Sequence, residues 1–363
     1  MYSKPTLLLD EKKCRANIRK MVDKTRKNAV EFRPHFKTHQ SIEIGEWFRE
    51  EGVSKITVSS VDMALYFAQG RWSDITIAFP VNILEIEAIN ELASSITLNI
   101  LLESIETVKF LELNLLNTVN AFVKINIGNN RAGLEPDNFD EISGLLNEIV
   151  SSTHIAFKGF LGHAGNSYAC RSKEELLKVH STSISHMLKL KDYFKNDYPN
   201  LILSIGDTPT CAVAEDFSMI DEMRPGVFVF FDAIMLNIGC CSQNEIATTI
   251  ACPIVAIHKN KNEIITYGGR VHLASDSLID RDGKQIFGLV VENKGQGWGR
   301  ILEDVYVKKI SQEHGVISAP IEFIESVNIG DVLKIIPAHI CTTSNMFDSY
   351  VTTEGIKISR LRL

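Results

Sequence analysis

At 363 residues, 45% hydrophobic and 23% charged, the chain can bury a large core and exceeds the usual single-core domain of about 100 to 200 residues, so two domains are expected. A net charge of −7 and the lack of a Lys/Arg block exclude a basic nucleic-acid-binding face. No apolar run reaches the length of a membrane span and the run Leu7-Leu8-Leu9 is too short for a secretory signal, while seven cysteines follow no regular framework. Those features point to a cytoplasmic protein with reduced thiols.

In chain order, the pattern predicts a short strand over 7–10 and a helix over 12–27 with Ile18 and Met21 inward. Short apolar strands bounded by turn residues are then expected at 30–36, 54–59, 74–79, 97–102, 121–127, 155–161, 201–205 and 220–223. Helical stretches fall between them at 62–69, 83–94, 105–114, 138–151 and 173–193. Eight strands alternating with helices are the pattern of a parallel (β/α)8 TIM barrel, expected over 12–232. Beyond Phe231 the texture changes to strand and turn at 248–258, 263–268, 285–292, 300–310 and 332–336. This reads as an all-β domain of residues 233–363, with 1–11 added because the first strand can pair with it.

In such a barrel the loops after the strands form the active face, and chemically capable residues gather there. The first is Arg33-Pro34-His35-Phe36-Lys37-Thr38-His39. Lys37 follows an apolar strand, and Pro34 forbids helix just upstream. Two flanking imidazoles complete a setting in which a half-buried amine with a lowered pKa forms a Schiff base with a carbonyl group. Taken alone, a lysine between two histidines is a solvated loop. The other strand ends argue against that reading: Gly128-Asn129-Asn130-Arg131, Gly162-His163-Ala164-Gly165-Asn166-Ser167-Tyr168 and Gly206-Asp207-Thr208-Pro209-Thr210.

These segments, with Glu222-Met223-Arg224-Pro225-Gly226 and Pro337-Ala338-His339-Ile340-Cys341, resemble in type and order the motifs of the fold-type III pyridoxal phosphate enzymes of the D-threonine aldolase and D-serine dehydratase family, whose N-terminal barrel is alanine racemase-like. The resemblance covers nearly the whole chain and implies that Lys37 is the cofactor lysine. It implies that Gly206, Asp207 and Thr208 form a phosphate turn, with the Asp207 carboxylate pointing away and the backbone amides binding. It places Arg131 against the pyridine nitrogen, and His163 and Tyr168 beside the cofactor ring and substrate.

His339 and Cys341 are a second feature. In an extended segment the i and i+2 side chains point the same way, so an imidazole and a thiolate can hold one ion. The resemblance to D-serine dehydratases supports a metal site here, and the thiolate favours Zn2+ over the harder Mn2+ or Mg2+. Two protein ligands leave positions for substrate oxygens. The implied substrate is a D-amino acid with a β-hydroxyl. Lys37 as base gives β-elimination to a keto acid and ammonia, whereas a base such as His163 at the hydroxyl gives the D-threonine or 3-hydroxyaspartate aldolase outcome.

Tyr267-Gly268-Gly269-Arg270-Val271-His272 departs from the family pattern, and Phe231 replaces a common Tyr. Arg270 and His272 are candidates for a second carboxylate, against the alternative of a surface pair. An amino-acid racemase would need a second base, and a non-catalytic pyridoxal phosphate carrier would lack the β-domain and the metal pair. A homodimer, in which the β-domain of one subunit completes the other's site, is the expected assembly.

Overall fold

The computed structural model describes residues 2–280 and 282–362, which form two compact units. One is Lys20–Gly226; the other joins the chain before Lys20 to Val227–Arg362. The predicted outermost β-domain positions, Met1 and Leu363, lie outside the described residues.

In the first unit, β2 (Glu31–Phe32), β3 (Ile56–Val58), β4 (Asp74–Pro80), β5 (Thr97–Leu102), β6 (Val119–Ile125), β7 (Ile155–Gly162), β8 (Ile202–Ile205) and β9 (Glu222–Met223) make an eight-stranded parallel sheet, counted after β1 (Thr6–Leu9). Its order, β2-β9-β8-β7-β6-β5-β4-β3, leaves only β2 and β3 to meet, and a parallel bridge between His35 and Thr57 joins them. The predicted barrel is present, and it closes at the stretch that carries Lys37. The expected strand 30–36 shrinks to two residues because Pro34 has no N–H to continue a ladder. The fold also contains the unpredicted helix Ile42–Glu50, capped by Ser41 and burying Ile44, Trp47 and Phe48.

Leu101, Phe122 and Leu161 form part of the barrel core, with Ile202 packed on them. A polar chain crosses the strands as well. Arg33 is buried between Glu222 and Asp74, each at 2.6 Å, and Asp74 also accepts from Asn99 at 2.8 Å. Removing one partner of such a buried pair strands the other's charge. Glu222→Leu is therefore expected to cost roughly 3–5 kcal/mol of stability, read from the urea midpoint at unchanged slope.

In the second unit β1, β10 (Thr248–His258), β11 (Glu263–Tyr267), β14 (Gly288–Lys294), β15 (Gly297–Ile310), β16 (His314–Ser318), β17 (Val332–Pro337), β18 (Ser349–Thr352) and β19 (Lys357–Ser359) build a mostly antiparallel sheet. The short pair β12 (Leu278–Ile279) and β13 (Gln285–Ile286) stands apart from it. The first strand does pair with β10, in antiparallel register from Thr6–Ala251 to Leu9–Thr248. Strands β16, β18 and β19 and the short helices of this unit were not expected from the pattern.

Candidate functional site

The barrel strands end in loops that gather charge. Lys37 lies half-buried in the turn after the His35 bridge, and its N–H lies 3.4 Å from His35 Nδ1. Burial first, then the Lys37 and Arg224 charges and His163, pushes the His35 imidazole well below its ordinary value. His163, after β7, donates from Nδ1 to the Gly206 carbonyl. Burial and then Lys37 lower it to about 3, so the imidazole is neutral.

His39 does not belong to this group. It is fully buried among Phe36, Phe48 and Phe67, with ring centroids 4.4, 5.6 and 5.9 Å away. Only one of the two imidazoles flanking Lys37 in sequence therefore faces its chemistry. The helix Ile42–Glu50 is the reason, because it carries Phe48 into the cluster that takes His39.

Two further basic groups were not singled out from sequence. Arg224, just after β9, is 3% exposed, donates to Ser204 Oγ and to the Gly162 carbonyl at 2.6 Å each, and falls to about 10 because burial outweighs nearby Glu222. Ser204 in turn donates to Glu222 at 2.6 Å, so Arg224 is held by a relay that ends on Arg33. Lys124 points from β6 and is lowered to about 7 by burial, then by Arg224 and Arg131. Polar side chains inside otherwise apolar strands, Lys124, Ser204 and Glu222, were the available signal. Arg131 itself is exposed on the loop after β6, so the buried arginine beside His35 and His163 is Arg224.

Lys124 carries a pH prediction. Its folded value lies below the ordinary 10.5, so its buried charge opposes folding below about pH 7 and the penalty fades as pH rises from there toward 10.5. Lys124→Met is expected to stabilise the fold by about 2 kcal/mol at mildly acidic pH, an advantage that shrinks in alkaline buffer. Denaturant midpoints on both sides of neutrality read it.

Asp207 is 3% exposed and caps the helix Thr208–Val213, which replaces the expected simple turn. Its carboxylate accepts from Thr210 N and Ser167 Oγ at 2.8 Å and from Thr210 Oγ1 at 2.7 Å. Burial still raises it to about 6. With this acid turned into its own helix, the loop ends carry Lys37, Lys124 and Arg224 together, whose charges act on shared neighbours. An amine for an aldehyde and an excess of cations for a phosphate form a donor set that fits pyridoxal phosphate. Gly206 leaves no room for a side chain there, since a Cβ would lie 2.7 Å from the Arg224 carbonyl oxygen. Thr208 is buried and accepts from Gly226 N at 3.3 Å; Tyr168 is half-buried on the 3-10 turn Gly165–Ala169.

The second unit carries the metal candidates. The expected extended segment ends at His339, because a helix, Ile340–Ser344, starts directly after it and holds Cys341 in its first turn. The two side chains still meet through a hydrogen bond. Asp232, fully buried, accepts from His339 Nδ1 at 3.0 Å, from Ile340 N at 3.0 Å and from Met235 N at 2.9 Å. Burial alone would lower His339; Cys341 and Asp232 override it and hold the ring well above its ordinary value. A carboxylate on Nδ1 fixes the ring and leaves Nε2 for a metal, so an imidazole and a thiolate fit a borderline ion such as zinc. Among the described residues no third His, Cys, Asp or Glu joins them. Asp232→Asn is expected to weaken metal binding by about 10- to 100-fold, measured by competition with a chromogenic chelator.

Arg270 is exposed, and His272 lies 3.9 Å from Glu313 with its ring edge-on to Tyr267. Burial lowers His272 more than Glu313 raises it.

Two family models match the chain. Residues 247–353 match the putative serine dehydratase domain, and residues 9–233 match the alanine racemase N-terminal domain. The chain belongs to the alanine racemase N-terminal domain family. Within it, the chain is 28% identical to the D-serine dehydratase of Dictyostelium discoideum, over 95% of this chain and 92% of that one. It is 26% identical to the D-threo-3-hydroxyaspartate dehydratase of Delftia sp., over 95% and 93% of the two chains. The solved structure of that dehydratase superposes with a TM-score of 0.92 at 22% identity, covering 100% of this chain and 98% of that one. Solved variants of that enzyme replace a histidine and the cysteine two positions on, the latter in a metal-free form. The 3-hydroxy-D-aspartate aldolase of Paracoccus denitrificans is 23% identical over 98% of this chain and 89% of its own.

Proposed function

We propose that the chain is a pyridoxal phosphate- and zinc-dependent lyase of D-β-hydroxy amino acids, acting on D-serine as a dehydratase to give pyruvate and ammonium. The observation that carries this reading is the His339–Cys341 contact locked by buried Asp232. A racemase has no use for such a pair, and in the Delftia dehydratase the variant solved in a metal-free form replaces a cysteine that stands two positions after a histidine, the same spacing.

Bound at Lys37, pyridoxal phosphate would supply an electron sink for charge developing at the substrate Cα. Gly206 and Thr208 would take its phosphate through backbone amides, and the buried Arg224, in place of the exposed Arg131, would face its ring nitrogen. Once the substrate amine has taken its place, the Lys37 amine removes the Cα proton. Burial holds His35 and His163 in their neutral forms beside it, so they stand there as hydrogen-bonding rings rather than as cations. Zinc held by His339 and Cys341 would supply a Lewis acid for the departing hydroxide. Elimination releases one water and hydrolysis of the resulting enamine consumes one, so the reaction balances.

The retro-aldol alternative asks His163 to take the hydroxyl proton. A ring lowered to about 3 with Nδ1 committed to Gly206 is a poor base at neutral pH, and this favours the dehydratase. A homodimer and a cytoplasmic setting complete the proposal. Purified protein incubated with D-serine, D-threonine and 3-hydroxyaspartate should yield keto acid fastest from D-serine. Glycine and an aldehyde as the main products would replace the dehydratase by the aldolase.

A further inference from the structure

The second unit holds a cavity of about 1000 Å³ that the proposed reaction does not use. One wall is the segment leading into β17, with Asp331 and Lys334; the other is the hairpin between β14 and β15, and Tyr2, Leu302 and Phe323 also line it. Lys334 is 2% exposed, yet its ammonium meets no carboxylate among the described residues. Nζ donates to the carbonyl oxygens of Gly295, at 2.6 Å, and Gly297. An ammonium carries three N–H groups, so one remains after those two. Burial lowers this lysine, and no nearby anion lifts it back.

Asp331 presents the opposite case. It is exposed, lines the same cavity and accepts from Asn328 N at 2.7 Å, with no cation in ion-pair reach among the described residues. The two groups stand three residues apart without pairing. Elsewhere on the wall Glu292 is already matched by Arg300 at 2.5 Å. A buried cation without its anion costs stability unless a ligand compensates it.

We propose that this cavity binds a small zwitterion, an α-amino acid whose carboxylate takes the remaining Lys334 N–H and whose ammonium faces Asp331. Leu302 and Phe323 offer apolar wall to its side chain. A plain anion such as phosphate gains Lys334 but is repelled by the unpaired Asp331, and a plain amine gains only Asp331. This site is independent of the lyase reading.

Isothermal titration with glycine, acetate, methylammonium and inorganic phosphate tests it on the native protein and on Lys334→Met, Asp331→Asn and Lys37→Ala. Glycine should bind native and Lys37→Ala protein alike, and its dissociation constant should rise about tenfold or more in each cavity variant, the loss of one charge-assisted hydrogen bond. Acetate, methylammonium and phosphate should each bind at least about tenfold more weakly than glycine. Because Asp331 is exposed, its variant keeps the test sound even if Lys334→Met unfolds. Glycine binding unchanged in Asp331→Asn, lost in Lys37→Ala or matched by acetate or phosphate would overturn the proposal.

Discussion

Lys37→Ala is expected to lower keto acid formation by at least about a thousandfold, because one side chain both anchors the cofactor and serves as the base. The variant should also lack the visible absorbance band of a cofactor linked to a lysine amine, while unfolding at the urea midpoint of the native protein stripped of its cofactor. The last point follows from position: the side chain is half-buried in a turn, and the closing hydrogen bonds of the barrel are made by its neighbours, Phe36 N to Thr57 O at 2.8 Å and Thr57 N to Pro34 O at 2.9 Å. A band that survives in Lys37→Ala would assign the cofactor to another lysine, with Lys124 the first to test.

The second large effect belongs to Cys341. Cys341→Ala removes the thiolate but not the ring lock on His339, so metal should be lost and keto acid formation should fall by about a hundredfold or more. Cofactor absorbance should remain, since Lys37 is untouched. Cys341→Asp sharpens the point. A carboxylate is a harder donor than a thiolate, so this variant should recover activity better with manganese than with zinc. Equal recovery with both ions would show that Cys341 does not choose the metal.

Much of the fold could be read from the strands. Apolar runs such as 97–102, flanked by turns and alternating with capped helices, specify a parallel barrel through burial alone, and strand Thr97–Leu102 has those bounds. Where burial did not decide, the pattern misled. Pro34 ended a strand that looked seven residues long, and Asp207 made the expected turn Gly206-Asp207-Thr208 the capped start of a helix. Strand β16 escaped notice because His314-Gly315 breaks its apolar alternation; its place comes from pairing with β11 and β15.

The site divides along the same line. Lys37, His163, His339 and Cys341 sit at element ends, where a reactive residue type stands out in sequence. Arg224, Lys124 and Asp232 act through distant neighbours: a relay through Ser204, a shared field of cations, and a hydrogen bond spanning more than a hundred positions to His339. No local spacing encodes such pairs. The reverse error was His39, whose place beside Lys37 in sequence said nothing of the aromatic cluster that buries it.

The central claim is that a metal on His339 and Cys341 serves an elimination begun at Lys37. Its most direct test is the keto acid released from D-serine by chelator-treated protein as zinc is added back. The account predicts no release before addition and a rise to a plateau at about one zinc per chain, as a single ion shared by His339 and Cys341 requires. Release undiminished by chelation, or glycine and formaldehyde in place of keto acid, would contradict it.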